Sequence, residues 1–195
     1  MVEVGFETIG NATLIVHDRG PVLAIDPWIT GGAYFGSWGL SHEIPDEQMA
    51  AIHDAQALWI SHGHPDHLSM PSLELLRGRP ILLPAHRGGR IAAALEADGH
   101  EVRVLPDRQW TSLSDRVRVC SIADWNQDAV LLVDIDGVLV ANLNDASDRA
   151  WGPFVRRTAS GYDTAFMLAL SGYGDADMMN FFTDRKSTRL NSSHV

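Results

Sequence analysis

Three histidines and one aspartate lie within the run HGHPDH at positions 62–67. Imidazole nitrogens and carboxylate oxygens are common ligands of zinc, iron and manganese. His62 and His64 can project alike from an extended segment, whereas Asp66 and His67 follow a proline and turn toward a second point. The cluster is therefore predicted to bind metal, and its two halves suit two ions better than one. The alternative is a polar turn in a protein that has nine histidines.

The neighbouring residues place this cluster between a strand and a helix. The apolar residues 57–60 precede it and have the composition of a strand end. Ser69 follows as a good helix cap, and Pro71 is tolerated in a first helical turn. Loops at the carboxyl ends of strands are where α/β proteins place their chemistry, because the sheet holds them rigidly. This position favours the metal site over a chance polar turn.

The remaining pattern alternates strands and helices, which predicts an α/β domain with sheets flanked by helices. Strands are expected at 6–16, 22–25, 57–61, 80–83, 101–105, 117–122, 129–135, 138–143 and 165–170, and helices at 46–55, 72–77 and 88–98.

Residues 30–45 are rich in glycine and aromatics and have no period. This segment is either a loop that overhangs the metal site and grips a substrate, or a long connection packed on the surface. His42, His86 and His100 carry no ligand motif.

Composition restricts the classes of partner. The chain has 195 residues, 45% of them hydrophobic, and a formal net charge of −10, which disfavours nucleic acid and anionic membranes. No apolar run approaches the length of a membrane span, and no secretory signal is recognisable. Cys120 is the one cysteine, so no internal disulfide forms, in agreement with a cytoplasmic location. A small molecule is the expected partner, and the oligomeric state is left open.

The order His-x-His-x-Asp-His at a strand end resembles the metal motif of the metallo-β-lactamase superfamily. The resemblance implies an αββα sandwich over residues 1–182. Asp26, in the sequence Asp-Pro-Trp after the second strand, resembles the superfamily's first motif, a carboxylate that supports the metal loop without binding metal. The alternative for Asp26 is a simple cap at a strand end.

Two further carboxylates match ligand positions of the superfamily. Asp124 stands before strand 129–135, where the superfamily has a ligand that is often histidine, and Asp128 is its nearby competitor. An acidic turn is the alternative. A carboxylate in place of histidine favours iron or manganese over zinc. Asp145 follows strand 138–143, where the resemblance implies an aspartate that bridges both metals and offsets their repulsion.

The sequences of three short segments narrow the resemblance to one branch of the superfamily. Asp-Pro-Trp, His-Pro-Asp-His-Leu-Ser and Asn-Leu-Asn-Asp are similar to the branch that contains CMP-N-acetylneuraminate hydroxylase-like proteins. Residues 183–195 are polar and basic and resemble non-native read-through, so we expect an unstructured tail and a chain truncated in the second half of the fold. The superfamily's last histidine ligand is then missing, since only His194 in the tail follows. One tightly held metal is expected for this reason.

Three functions follow from these expectations. The leading hypothesis is a dinuclear hydrolase in which a metal-bound hydroxide attacks a carbonyl or phosphoryl centre. His62, His64 and Asp124 hold one ion, Asp66 and His67 the other, and Asp145 lies between, with Asp66 also the catalytic carboxylate. Two divalent ions are implied, zinc first and iron or manganese as alternatives. The second hypothesis is a di-iron oxygenase that takes electrons from elsewhere, and the third is an inactive metal-binding fragment.

Overall fold

The computed structural model describes residues 3–125, 127–147 and 150–169. The predicted tail at 183–195, His194 and the last part of the proposed 1–182 domain lie outside the described residues. None of the helices in the described ranges is long and apolar enough to cross a membrane.

The first sheet has six strands in the order β1-β2-β3-β4-β5-β6. They are β1 (Val4–Gly10), β2 (Thr13–Asp18), β3 (Pro21–Ile25), β4 (Ala57–Trp59), β5 (Ile81–Leu83) and β6 (Val102–Val104). The β1–β2 and β2–β3 pairs are antiparallel, and the pairs from β3 to β6 are parallel. The prediction of one strand over 6–16 is wrong, because the chain turns at Asn11 with a left-handed φ of 47°. Asparagine tolerates that conformation better than most residues.

The second sheet has five strands in the order β11-β10-β9-β8-β7. They are β7 (Trp110–Ser112), β8 (Val117–Ala123), β9 (Ala129–Ile135), β10 (Val138–Asn142) and β11 (Thr164–Leu168). The β10–β11 pair is parallel and the other pairs are antiparallel. β9 is buried along its whole length because both of its faces are covered, and all of its residues except Asp134 are apolar. Strand β7 was not expected from the sequence.

Helices cover the outer face of each sheet. Helices α1 (Asp46–Asp54), α2 (Met70–Leu75) and α3 (Arg90–Ala97) pack on the first sheet, and α4 (Gly152–Ala159) packs on the second. A third group of buried residues, from both sheets, fills the space between them. The αββα arrangement expected from the resemblance is therefore confirmed for the described residues. Helix α4 was not expected from the sequence.

An ion pair between the buried Asp18 and the partly exposed Arg116 connects the two sheets at the edge formed by the β7–β8 turn. Asp18 at the end of β2 is 6% exposed, and it accepts hydrogen bonds from the Ser114 hydroxyl at 2.7 Å and from the Arg116 Nε at 2.8 Å. The hydrogen bond from Ser114, together with the positive charge of Arg116, outweighs burial and lowers the pKa of Asp18 to about 2. The ionised Asp18 carboxylate thus stabilises the contact between the sheets.

This arrangement predicts a specific acid dependence of stability. A free aspartate titrates near pH 4, so the unfolded chain takes up this proton before the folded chain does. The contribution of Asp18 is fully present above about pH 4 and is lost as the pH falls toward 2. We expect Asp18→Asn to lower the urea midpoint of unfolding at pH 7. The stability of this variant should also change less between pH 4 and pH 2 than that of the wild type. The matched control is Asp115→Asn, because Asp115 is exposed and forms an ion pair with Arg19 on the surface. An equal effect in both variants would contradict this assignment.

Candidate metal centre

The carboxylate of Asp26 holds the start of the loop at 62–67. Asp26 is fully buried at the end of β3, with a left-handed φ of 43°, and its amide donates to the Trp59 carbonyl at 2.8 Å. Its Oδ1 accepts the Ser61 amide at 2.7 Å, and its Oδ2 accepts the Ser61 hydroxyl at 2.7 Å. Oδ2 also lies 2.9 Å from Nδ1 of His67. Asp26 therefore bonds both to the loop backbone and to a histidine of the cluster, as a supporting carboxylate would.

The other end of the loop is fixed by a tight turn and a helix cap. The amides of His67 and Leu68 both donate to the carbonyl of His64, at 3.0 and 2.7 Å. Ser69 then caps α2, as the sequence predicted, by accepting from the Ser72 amide. The loop is held at both ends, so the positions of its side chains are restricted.

Two histidines of the loop and a distant aspartate meet in space. Nε2 of His62 lies 2.7 Å from Nδ1 of His64 and 3.9 Å from Oδ2 of Asp145. The same oxygen of Asp145 lies 3.6 Å from Nε2 of His67. His62, His64 and Asp145 each place one potential ligand atom within 4.8 Å of the other two. One carboxylate oxygen from the second sheet thus lies beside both halves of the loop from the first sheet.

Asp66 is held by two residues that the sequence analysis did not identify. The Tyr34 hydroxyl donates to Oδ1 of Asp66 at 2.9 Å. The Asn11 side-chain amide donates to the Asp66 carbonyl at 3.0 Å and to Oδ2 at 3.4 Å. Oδ2 also lies 3.5 Å from Nε2 of His67. The aromatic loop at 30–45 and the β1–β2 turn were recognisable in the sequence, but nothing in them indicated a contact with Asp66.

Asp124 and Asp128 occupy different surroundings. Oδ1 of Asp128 lies 3.5 Å from Nδ1 of His62, on the side of the ring that faces away from Asp145. Asp124 is 6% exposed, and neither of its buried carboxylate oxygens has a hydrogen-bond partner. Asp124 is not a member of the compact group formed by His62, His64 and Asp145. Asp128 is placed to support His62 through Nδ1, the ring nitrogen that faces away from Asp145. Asp124 is the carboxylate whose oxygens have no hydrogen-bond partner.

His86, which the sequence analysis left without a role, lies in the same region. Its Nε2 is 3.1 Å from the carbonyl of Asp128, and burial lowers its pKa. His86 therefore contacts the backbone of the segment that carries Asp124 and Asp128. His42, also unassigned, lies at 2.9 Å from the Ser41 hydroxyl in the loop over the site.

The charges around the two buried histidines are unequal. Burial, together with the charge on His67, lowers the pKa of His62 to about 4. Burial also opposes charging of His67, but the carboxylates of Asp26, Asp145 and Asp66 overcome it and raise the pKa of His67 to about 10. His67 in turn lowers the pKa of Asp145. The carboxylates thus create a negative field in which a cation is favoured.

These observations fit a site for divalent metal ions. Imidazole nitrogens and carboxylate oxygens converge from both sheets, and they are the donor types of zinc, iron and manganese sites. The unpartnered carboxyl group of Asp124 is the strongest individual observation for a metal, because a buried polar group without hydrogen bonds is costly unless another partner, such as a cation, compensates it.

A cavity of about 190 Å³ adjoins Asn11, the residue that holds Asp66. Its walls are mainly apolar, with polar groups from Ser41 and His42, and include Ile9, Trp28, Trp38, Leu40 and Ile44. The ring of Trp38 contacts that of Tyr34 edge to face, with centroids 4.8 Å apart. Tyr34 and Phe35 both have left-handed φ angles, 48° and 59°, a strained conformation of the kind that clusters at functional sites.

No protein-family model matches the chain. Among curated proteins, it is 31% identical over 134 residues to the cytidine monophosphate-N-acetylneuraminic acid hydroxylase of Danio rerio, a match that covers 64% of this chain and 23% of the relative. It is 27% identical over 165 residues to the inactive form of that hydroxylase from Homo sapiens, over 77% of this chain and 33% of the relative. The chain thus spans about a quarter to a third of the length of these relatives.

Solved structures share the fold. The isothiocyanate hydrolase from Delia radicum gut bacteria has a TM-score of 0.65 at 16% identity, over 89% of this chain and 73% of its own. Igni18, a metallo hydrolase from Ignicoccus hospitalis, has a TM-score of 0.62 at 18% identity, over 86% and 71%. CmlA, a diiron β-hydroxylase from Streptomyces venezuelae, has a TM-score of 0.58 at 18% identity, over 80% and 32%.

The αββα sandwich with a histidine-rich loop at the end of β4 defines the metallo-β-lactamase fold. The structural neighbours show that the chain has this fold. Its sequence is similar to the hydroxylases named above. The fold expected from the loop motif is therefore confirmed.

The Asp26 contacts predict a loss of metal affinity without loss of a ligand. Asp26→Asn keeps the shape of the side chain but weakens the bonds to Ser61 and His67. We expect about 10- to 100-fold weaker binding of Zn²⁺, the range seen when a supporting carboxylate is removed from a metal site. Isothermal titration after chelator treatment measures this. The matched control is Asp134→Asn, because Asp134 is a buried aspartate on β9 that accepts hydrogen bonds from Arg118, Tyr162 and the Gly137 amide. Equal losses in the two variants would assign Asp26 a general structural role only.

Proposed function

We propose that this chain is a metal-dependent hydrolase with two ions in one centre. The observation that carries the proposal is the position of Asp145, whose Oδ2 lies 3.9 Å from Nε2 of His62 and 3.6 Å from Nε2 of His67. A single oxygen placed beside both histidines is suited to hold two cations together. In this proposal His62, His64 and Asp124 hold one ion, Asp66 and His67 hold the other, and Asp145 is shared.

The bound ions would supply an acidified water and polarisation of a carbonyl or phosphoryl group. The protein's own residues would orient the metal ligands and exclude bulk water. Asp26 fixes His67, and Tyr34 and Asn11 fix Asp66. Asp66 is the proposed catalytic carboxylate: its Oδ2 is turned toward His67, and it would accept the proton of the attacking water there. Burial of Asp66 and His67 keeps bulk water from competing for these contacts.

The cavity beside Asn11 indicates the kind of substrate. Its volume accommodates one ring or a short branched chain, and its tryptophan, leucine and isoleucine walls favour an uncharged group. We propose a small-molecule substrate whose apolar part enters this cavity while its carbonyl or phosphoryl group reaches Asp66. The Trp38–Tyr34 contact links the wall of the cavity to the carboxylate. A cytoplasmic location stays a prediction.

Hydrolysis predicts that Asp145 is required for both metal binding and turnover. The test uses protein loaded with Zn²⁺ or Mn²⁺ and two chromogenic substrates, p-nitrophenyl acetate and bis(p-nitrophenyl) phosphate. We expect turnover of at least one of them, and a loss of more than about 100-fold in Asp145→Asn, beyond the 10- to 100-fold typical of residues that only orient ligands. Asp98→Asn, at an exposed carboxylate bonded to Arg77, is the control. Turnover that survives Asp145→Asn would contradict the shared-ligand role.

A second candidate function, hydroxylation by a di-iron centre, is favoured by Asp124. A carboxylate in place of a neutral nitrogen suits iron or manganese better than zinc. The Danio rerio relative is a hydroxylase, the Homo sapiens relative is an inactive hydroxylase, and one fold neighbour is a diiron β-hydroxylase. Cys120 is the chain's one cysteine and is buried, so the electrons that an oxygenase needs would have to come from a separate donor.

The metal preference of Asp124 separates the two candidates. If Asp124 is a ligand, Asp124→His should shift competition between Fe²⁺ and Zn²⁺ toward zinc by about tenfold or more. The measurement is metal content after anaerobic incubation with equal concentrations of both ions. Asp128→His is the control, because Asp128 faces the outer nitrogen of His62. Wild-type protein that selects iron and changes its visible spectrum on addition of oxygen would support hydroxylation, whereas zinc selection with ester hydrolysis would support the hydrolase. If only Asp128→His shifted the competition toward zinc, Asp128 would be the metal ligand and Asp124 would not.

A further inference from the structure

We propose that Ser61 is a positioning residue whose single hydroxyl proton determines which ring nitrogen of His62 faces the metal centre. This inference rests on the proposed function only in that the centre binds metal. Ser61 precedes the histidine loop, is completely buried, and carried no role in the sequence analysis.

The hydroxyl of Ser61 has three close neighbours. Its Oγ lies 2.7 Å from Oδ2 of Asp26, 2.9 Å from Nδ1 of His62 and 3.3 Å from Nδ1 of His67. A hydroxyl has one proton to donate and two lone pairs that accept. An ionised carboxylate only accepts, so the contact at 2.7 Å requires the Ser61 proton to point at Asp26. The oxygen of Ser61 is then available to His62 only as an acceptor.

His62 must therefore donate from Nδ1. A neutral imidazole carries one proton, so Nε2 is left with a free lone pair. That nitrogen lies 2.7 Å from Nδ1 of His64 and 3.9 Å from Oδ2 of Asp145, on the side where the proposed ligands converge. Oδ1 of Asp128, 3.5 Å from Nδ1 of His62, is a second acceptor on the same outer side. Both neighbours of Nδ1, Oγ of Ser61 and Oδ1 of Asp128, can accept a hydrogen bond from a proton on this nitrogen.

The opposite arrangement is disfavoured by the same contacts. If the Ser61 hydroxyl donated to His62, two oxygens would lie 2.7 Å apart at Asp26 with no proton between them. No surface of Ser61 is open to water that could relieve this repulsion. Asp26 consequently controls both buried histidines, His67 directly and His62 through Ser61, and one carboxylate orients ligands of both proposed ions.

The most direct test is nitrogen NMR of the histidine side chains in metal-free, ¹⁵N-labelled protein near neutral pH. We expect His62 to be the Nδ1–H tautomer in the wild type and in Ser61→Thr, which keeps the hydroxyl. In Ser61→Ala we expect a mixture with the Nε2–H tautomer, and about 10- to 100-fold weaker Zn²⁺ binding. Ser61→Thr should bind Zn²⁺ within about threefold of the wild type.

The matched control is Ser72→Ala. Ser72 is also completely buried and hydrogen-bonded, but its hydroxyl bonds to Ser69 and to the amides of Ile29 and Thr30, not to a histidine. It should leave the His62 tautomer unchanged. A wild-type His62 in the Nε2–H form, or an unchanged tautomer in Ser61→Ala, would overturn the proposal.

These readouts separate this proposal from the proposed function. The tautomer is measured without metal or substrate, so a protein that fails to hydrolyse any ester can still support or overturn the role of Ser61. If Ser61→Ala does not fold, the wild-type spectrum still tests the proposal, because the Nε2–H form of His62 would overturn it.

Discussion

The hydrogen bonds of the buried Asp26 carboxylate are the interactions on which the proposed metal centre depends. Burying a charge is unfavourable unless hydrogen bonds compensate it, and Asp26 obtains them from the amide and hydroxyl of Ser61 and from the ring of His67. To reach these donors, the residue adopts a left-handed φ of 43° at the end of β3. The conformation is unfavourable for a side chain with a Cβ, and the hydrogen bonds hold it in place. The loop at 62–67 thereby takes a defined position on the first sheet.

The second constraint is the packing between the sheets. The loop belongs to the first sheet, whereas Asp145 follows β10 in the second. Their distance is set by the apolar residues of both sheets that fill the space between them, and by the Asp18–Arg116 pair at another edge. Packed interiors resist displacement, so groups at the ends of strands keep their separation. The approach of Asp145 to two histidines is a consequence of the sandwich as a whole.

The sequence predicted the parts of this arrangement that depend on local pattern. The strand at Ala129–Ile135 has the predicted bounds, because a buried apolar run between turns leaves little choice. The Ser69 cap and the loop that follows β4 were also recognisable, since caps and ligand spacing are local signals. The metallo-β-lactamase fold followed from the loop motif by resemblance, and the described residues confirm it.

The contacts that hold Asp66 and the histidines were not predictable in the same way. Tyr34 and Asn11 are distant from Asp66 in sequence, and both adopt left-handed backbone conformations that no periodic pattern reveals. Ser61 looked like an ordinary strand end until its hydroxyl was placed against Asp26. The sequence did not distinguish Asp124 from Asp128, whereas the structure places Oδ1 of Asp128 beside Nδ1 of His62 and leaves the buried carboxylate oxygens of Asp124 without a hydrogen-bond partner.

Anomalous X-ray diffraction from crystals loaded with Zn²⁺, recorded on both sides of the zinc edge, would locate the bound ions. We expect an anomalous peak within about 2.0–2.3 Å of Nε2 of His62 and of a carboxylate oxygen of Asp145, the usual lengths of bonds from zinc to nitrogen and oxygen. A second peak beside His67 and Asp66 would show the two-ion centre. Crystals in which zinc occupies only exposed carboxylates, with no peak between His62 and Asp145, would contradict it.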